Sequence, residues 1–402
     1  MRPLTRPKAT TAASTLLLAS LATLPAPPPA TGQGTVLTRA TPAEAGMSAG
    51  VLAGGVALYE EAIERGDLVG AVLLVAKDGK VVLHEALGWR DQARGIPMEP
   101  NTMFRMASNT KPVVATGVAT LVEDGKLAYN DLVREYMASW DNYRAGFINI
   151  GHLLSHSSGL RIPTLFLRPY MEPSAEHPNA PTLRLEAARF GAVGAEHAPG
   201  TTYSYNNPGF NTLGALIEIA SGMPMEEYLD REVYTPLGMH DSYHHEIDHK
   251  MDGKLDRMSV VYYQRDDEGA WIPGWTPGDA PQVPFVRASG GMISTAADYA
   301  VFCQMFLNGG VYDGRRILPE ESALLMTTPK IRTNPNSDGP PNYYGYGWSV
   351  SVTGVFSHGG SDGTNAFVDR DNQLIVLVFT QTPGGRNPVR RFLNLVDVAI
   401  ER

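Results

Sequence analysis

One cysteine, Cys303, stands among 402 residues. A lone thiol excludes an intramolecular disulfide framework and a thiolate metal cluster. It also lies far from the N-terminus, where a lipid-anchor cysteine would be needed. Cys303 falls in an apolar helical pattern and reads as a small buried hydrophobe. Long hydrophobic runs are missing as well. The apolar stretch Leu16 to Leu24 is well short of the roughly 20 residues that cross a bilayer. Basic charge is in deficit, with 33 Lys and Arg against 42 Asp and Glu and a net charge of −9. That balance argues against nucleic acid or an anionic membrane surface as a partner. No internal repeat is visible, which sets solenoids aside.

What is present is the composition of a globular protein. Hydrophobic residues make up 43% and charged residues 19%, enough for one large domain or two intimate ones. Arg2, Arg6 and Lys8 precede the apolar stretch, and a small, proline-rich segment from Pro25 to Gly34 follows it. That order is expected of a secretory signal cleaved between Ala26 and Gly34, without a twin arginine. Loss of those three basic residues takes the net charge from −9 to near −12. The expectation is a periplasmic or secreted chain with no stable membrane anchor.

Ser48 reads as the cap of a helix with Leu52, Val56, Tyr59 and Ile63 on its apolar face, closing at Gly66. Val72-Leu73-Leu74-Val75 and Val81-Val82-Leu83 flank Asp78-Gly79, a two-residue hairpin signal. From Asp131 to Gly238 the pattern is mostly helical, with an irregular excursion from Ile162 to Pro199. Strands return at Tyr346–Val352, Thr364–Val368 and Leu374–Phe379, and a last amphipathic helix runs from about Pro388 to Ile400. The expected fold class is α+β: an antiparallel sheet built from both chain ends, flanked by helices, with a mainly helical domain inserted. The boundaries are residues 35–125 and 285–402 for the α/β part and 126–284 for the insert, after a processing region at 1–34.

Chemistry enters at Ser108-Asn109-Thr110-Lys111, at the start of a helical pattern. On a helix, residues three apart share a face with Cβ atoms about 5–6 Å apart, so the amine reaches the hydroxyl. A serine becomes nucleophilic when a neighbour takes its proton, and a lysine of lowered pKa can do that. Pro112 then falls in the first turn, where no hydrogen bond is lost. A plain cap beside a solvated lysine would give the same spacing, so the pair needs partners. Tyr203-Ser204-Tyr205-Asn206-Asn207-Pro208-Gly209-Phe210 offers a phenol as proton carrier and an asparagine amide. Phe356-Ser357-His358-Gly359-Gly360-Ser361-Asp362-Gly363 offers a glycine-rich strand end able to approach a ligand closely. Ser289-Gly290-Gly291-Met292 reads as a structural turn.

Together these stretches resemble the serine β-lactamase and penicillin-binding-protein superfamily. The branch is the one holding class C β-lactamases, D-peptidases and family VIII carboxylesterases, and the likeness runs from about residue 40 to 400. Ser108 to Lys111 resembles the S-x-x-K motif. Tyr205-Asn206-Asn207 is similar to Y-x-N, His358-Gly359-Gly360 stands where K-T-G is common, and Leu153 to Leu160 resembles a further, structural signature. The resemblance implies Ser108 as nucleophile, Lys111 and Tyr205 sharing its proton, and Asn207 holding Lys111 and the substrate. It implies an oxyanion hole from the N–H groups of Ser108 and Ser361, and substrate binding along His358, Gly359 and Gly360. No cofactor or metal is implied.

Histidine in place of lysine at 358 removes a permanent positive charge, since imidazole is mostly neutral at pH 7. That tilts the expectation from β-lactams toward a carboxylesterase. A class C-like β-lactamase, a D-alanyl or D-amino-acid peptidase, or a penicillin-binding scaffold without turnover stand as alternatives. Substrates would be small esters, β-lactams or D-amino-acid peptides. Two other patterns carry less. Gly359-Gly360-Ser361-Asp362-Gly363 matches the esterase elbow G-x-S-x-G but is followed by a strand instead of a helix. His240, His244, His245 and His249, like His152 and His156, have zinc-compatible spacing but read as loop histidines.

Overall fold

Asp78 and Gly79 both adopt left-handed backbone, with φ of 52° and 74°. Those angles are what a tight hairpin between right-twisted strands requires, and Asp-Gly accepts them cheaply. The hairpin they close lies toward one edge of the main sheet. The computed structural model describes residues 34–160, 173–175, 177–244, 251, 253–279 and 285–401. The expected export segment, residues 162–172 and 176 of the excursion, and His245 and His249 lie outside them.

In chain order, β1 (Thr38–Arg39) and α1 (Ala49–Glu64) lead to the hairpin of β2 (Gly70–Lys77) and β3 (Lys80–Asp91). Next come β4 (Ile96–Pro97), β5 (Phe104–Arg105) and α2 (Thr110–Glu123). The middle holds α3 (Ile150–Leu154), α4 (Leu183–Val193), α5 (Asn207–Ser221), α6 (Met225–Leu229), α7 (Thr235–Leu237), β6 (Tyr243–His244), β7 (Val261–Arg265) and β8 (Trp271–Trp275). The chain continues through β9 (Met292–Ser294), α8 (Ala296–Leu307), β10 (Val311–Tyr312), β11 (Arg315–Arg316) and α9 (Glu320–Met326). It ends with β12 (Ile331–Arg332), β13 (Asn342–Tyr344), β14 (Ser349–Ser351), β15 (Phe356–Gly359), β16 (Thr364–Asp369), β17 (Leu374–Thr380) and α10 (Val389–Ala399).

The ten-stranded sheet runs β1-β3-β2-β17-β16-β15-β14-β13-β12, with β4 on β3. Strands from both chain ends thus meet where β2 pairs antiparallel with β17. This is the expected α+β arrangement. Up to their last residues, Lys77 and Thr380, both strands are apolar because both faces are covered. Ala71, Leu73 and Val75 point with Val376 and Val378 toward Tyr59 and Phe392 of α1 and α10. Val72 and Leu74 point with Leu377 and Phe379 toward Val113 of α2 and Phe302 of α8. Each such fully buried Val, Leu or Phe side chain contributes about 1.5–3 kcal/mol.

Two boundaries differ from the sequence reading. The strand expected from Tyr346 to Val352 is only Ser349–Ser351. Gly347 crosses the start of α2 so closely that a Cβ there would lie 2.7 Å from Ala115 Cβ and 3.2 Å from Lys111 O. Its φ of 84° breaks the strand at that crossing. The expected irregular excursion also contains a regular helix, α4, capped by Thr182, whose side chain accepts from Leu185 N.

Candidate active site

Ser108 lies in a single 3-10 turn, Ala107–Asn109, between β5 and α2. The stretch stands at the start of a helix as expected, with Asn109 as the cap and Pro112 in the first turn. Ala107 holds φ at 45°, a left-handed angle costing a non-glycine residue on the order of 1 kcal/mol. Its neighbours hold it there. Met106 N donates to Met292 O at 2.8 Å, and Thr110 Oγ1 donates to Ala107 O at 2.6 Å while accepting from Met292 N at 3.0 Å. On the other side Thr364 Oγ1 donates to Met106 O at 3.0 Å, and Asn109 Nδ2 donates to Thr364 Oγ1 at 2.9 Å. The serine is therefore clamped between β9 and the first residue of β16.

Lys111 is 0% exposed. Its Nζ lies 2.9 Å from Ser108 Oγ and donates to Ser289 O at 2.7 Å. The Tyr205 ring centroid is 4.8 Å from Nζ and that of Phe210 5.7 Å. Burial, reinforced by the positive charge of Arg287, holds the amine's pKa well below that of an ordinary lysine. A neutral amine presents a lone pair to the serine hydroxyl. The anchoring carbonyl belongs to the Ser289-Gly290-Gly291-Met292 stretch, which the sequence suggested was only structural. A backbone carbonyl leaves no side-chain signal for sequence reading to find.

Tyr205 precedes α5 and is pushed well above the usual phenol range by burial, with the Ser108 side chain acting in the opposite sense. It is a phenol at neutral pH, able to give and receive a proton but not to serve as a standing phenolate. His156 packs on it with ring centroids 4.2 Å apart, and also meets Phe210 at 5.0 Å and Tyr344 at 4.7 Å. His156 Nδ1 accepts from Asn206 N at 3.2 Å, so its proton sits on Nε2. Burial holds this ring neutral. The Leu153–Leu160 signature thus supports the phenol directly. His152 instead completes a capping box with Asn149 at the start of α3.

Asn206 caps α5 by accepting from Gly209 N at 2.8 Å. Asn207, expected to hold Lys111, does not do so here: Lys111 bonds to Ser108 and Ser289, and Asn207 Oδ1 is buried without a partner.

His358 and Gly359 end β15. The imidazole is 7% exposed. Nδ1 lies 2.9 Å from Gly359 O and Nε2 2.8 Å from the Tyr344 hydroxyl. A carbonyl only accepts, so Nδ1 carries the proton and Nε2 accepts from Tyr344. Burial, above all, pushes the ring's pKa down to about 3. Both nitrogens are committed inside the protein. The neutrality expected at position 358 is therefore enforced, whereas the ring nitrogens are not turned out toward a substrate. Gly360 approaches the serine segment so closely that a Cβ would lie 2.3 Å from both Met106 O and Thr364 Oγ1. Ser361 is exposed, and β16 follows it with no helix between, as expected against an esterase elbow.

A cavity of 330 Å³ opens beside these groups, lined in part by Tyr203, Tyr205, Tyr344, His358, Asn365 and Phe367. Among the described residues no group of three or more His, Cys, Asp or Glu is placed to hold a metal ion. Cys303 is buried.

Known proteins are similar to this chain in sequence and fold. Esterase EstB of Burkholderia gladioli is 27% identical over 363 residues, covering 81% of this chain and 89% of its own. The solved structure of EstCE1, a hydrolase with promiscuous acyltransferase activity, superposes with a TM-score of 0.70 at 24% identity, covering 88% of this chain and 99% of that one. That of the octameric penicillin-binding protein homologue from Pyrococcus abyssi has a TM-score of 0.71 at 24% identity, covering 88% and 77%. At that identity both structures speak to the fold alone. The family profile described as Beta-lactamase matches residues 56–399, and the chain accordingly belongs to the Beta-lactamase family, as a serine hydrolase.

Proposed function

We propose that this chain is a secreted carboxylesterase-type hydrolase that works through an acyl-enzyme on Ser108. The observation carrying this reading is the fully buried Lys111 amine 2.9 Å from Ser108 Oγ. Ser108 Oγ attacks the ester carbonyl as its proton passes to Lys111 Nζ. The oxyanion forms against the backbone N–H groups of Ser108 and Ser361, and one such donor is worth about 2.7–4 kcal/mol. As the tetrahedral intermediate collapses, Tyr205 hands a proton to the departing alkoxide and Lys111 restores it. Water then attacks the Ser108 ester by the same route in reverse, releasing the acid.

The preference for esters rests on His358. Its buried, doubly bonded ring leaves the cavity without a fixed cation at that strand end. A leaving group bearing a carboxylate gains no partner there, and a neutral alcohol loses none. A β-lactamase or D-amino-acid peptidase is the second reading, favoured by Asn207 Oδ1, a buried acceptor free to take a substrate amide N–H. A parallel panel of short-chain nitrophenyl esters, a cephalosporin and D-alanyl amides, each with Ser108→Ala as control, separates these. Faster turnover of esters supports the proposal. Faster turnover of the cephalosporin or the amides gives the site to the second reading, and a stable adduct without turnover gives it to a binding protein. Export is tested by N-terminal sequencing of protein recovered outside the cytoplasm, which should begin between residues 27 and 34.

A further inference from the structure

Behind Lys111 a line of hydrogen bonds continues away from the reacting hydroxyl. Ser289 O accepts from Lys111 Nζ at 2.7 Å. Ser289 N donates to Asn211 Oδ1 at 3.0 Å. Asn211 Nδ2 donates to Glu186 Oε2 at 3.1 Å. Asn211 belongs to α5 and Glu186 to α4, so the line ties two helices of the middle region to the catalytic turn.

Glu186 is only 4% exposed, and its other oxygen, Oε1, has no hydrogen-bond partner. A buried carboxyl with half its capacity unmet is a costly choice where an apolar residue would pack equally well. Burial raises its pKa to about 8, opposed by Asn211 and by Arg287. The group is mostly a neutral acid at pH 7, which lowers the cost without removing it. What it does is occupy the Asn211 amide. Asn211, held at its nitrogen, has its oxygen turned to the Ser289 N–H, and an amide fixed on one side of the Ser289 Cα restricts the swing of the carbonyl on the other.

We propose that Glu186 is a positioning residue: through Asn211 it orients the Ser289 backbone and so aims the carbonyl that holds the Lys111 amine against Ser108. This rests on the reading of Ser108 and Lys111 as nucleophile and base. Glu186 touches no reacting atom. Its effect is on how often the amine occupies its working position.

The test uses the full chain and two readouts: nitrophenyl ester kinetics, and the rate at which a fluorophosphonate probe labels Ser108, which needs no turnover. Glu186→Leu removes the acceptor. It should lower kcat and the labelling rate about 10- to 100-fold while KM stays within about twofold, as for a small misplacement of a reacting group. Glu186→Gln keeps an oxygen for the Asn211 amide and should stay within about threefold of the wild type. Asn211→Leu breaks the line without touching α4, and serves if Glu186→Leu does not fold. The double variant should lose no more than the worse single, since groups acting in series are not additive. Wild-type labelling rates in folded Glu186→Leu or Asn211→Leu would overturn the inference, as would Glu186→Gln losing as much as Glu186→Leu. A wild-type protein that takes no label on Ser108 would instead overturn the catalytic reading itself.

Discussion

Tyr344 gives its hydroxyl proton to His358 Nε2 across 2.8 Å, and this contact fixes the character of the strand end facing the cavity. Without it the imidazole would keep one nitrogen open to a proton or a substrate. Tyr344→Phe leaves that buried acceptor unpaired and should destabilise the fold by about 1–3 kcal/mol, read as a shift in the denaturation midpoint. A variant as stable as the wild type would mean that the ring has another partner.

Gly360 and Gly359 are adjacent and should respond very differently to one methyl group. At Gly360 a Cβ would meet Met106 O and Thr364 Oγ1 at 2.3 Å, so Gly360→Ala must move the strand end away from the Ser108 turn. A displacement near 1 Å costs roughly 10²-fold in kcat. At Gly359 the nearest atom is the movable Asn365 Oδ1 at 3.3 Å, and Gly359→Ala should keep most activity. Equal effects at the two positions would contradict the close approach as the reason for the second glycine.

The depressed Lys111 amine makes two predictions of opposite kind. In activity, the working form is the neutral amine, present above its folded pKa and lost as pH falls through it. Arg287 contributes to the depression. Arg287→Met should therefore raise the amine's pKa and move the acid limb of kcat/KM to higher pH. An unmoved limb would remove Arg287 from the account.

In stability, the native state holds Lys111 neutral while the unfolded chain binds a proton at any pH below 10.5, the ordinary value. The unfolded state then binds more protons, so this group's contribution rises with pH between the folded and unfolded values. Lys111→Met should melt higher than the wild type at pH 7, with the gap closing as pH approaches 10. It should also be inactive. A variant less stable at pH 7 would show that the amine is held charged.

How much of this was legible in the sequence depends on where the information resides. The Asp78-Gly79 turn, the strands at both ends and the Ser108–Lys111 spacing are local patterns, and each appears where the residues put it. The crossing of Gly347 over α2 is not local, so the strand before Ser349 could not be bounded. The Ser289 carbonyl and the line through Asn211 to Glu186 depend on four segments meeting, and a backbone oxygen carries no residue-type signal. His358 was legible as uncharged from its type alone, but Tyr344 as its partner was not. Asn207 shows the reverse: its motif position implied a bond to Lys111 that the fold gives to Ser289 instead.

Tyr205→Phe keeps the ring against His156 and removes only the proton carrier. General acid–base help of this kind is worth about 10²–10⁴-fold, and the loss should fall on kcat with little change in thermal stability. Unchanged kcat would leave Lys111 to handle both proton transfers alone.

The central claim is an ester bond on Ser108 Oγ, and acid-quenched mass spectrometry tests it most directly. Protein mixed with a slowly released acyl ester, quenched within the first turnover and digested, should carry the acyl mass on the peptide containing Ser108. Ser108→Ala should carry none and hydrolyse at least roughly 10³-fold more slowly. An acyl group found on another residue, or retained in Ser108→Ala, would contradict the account.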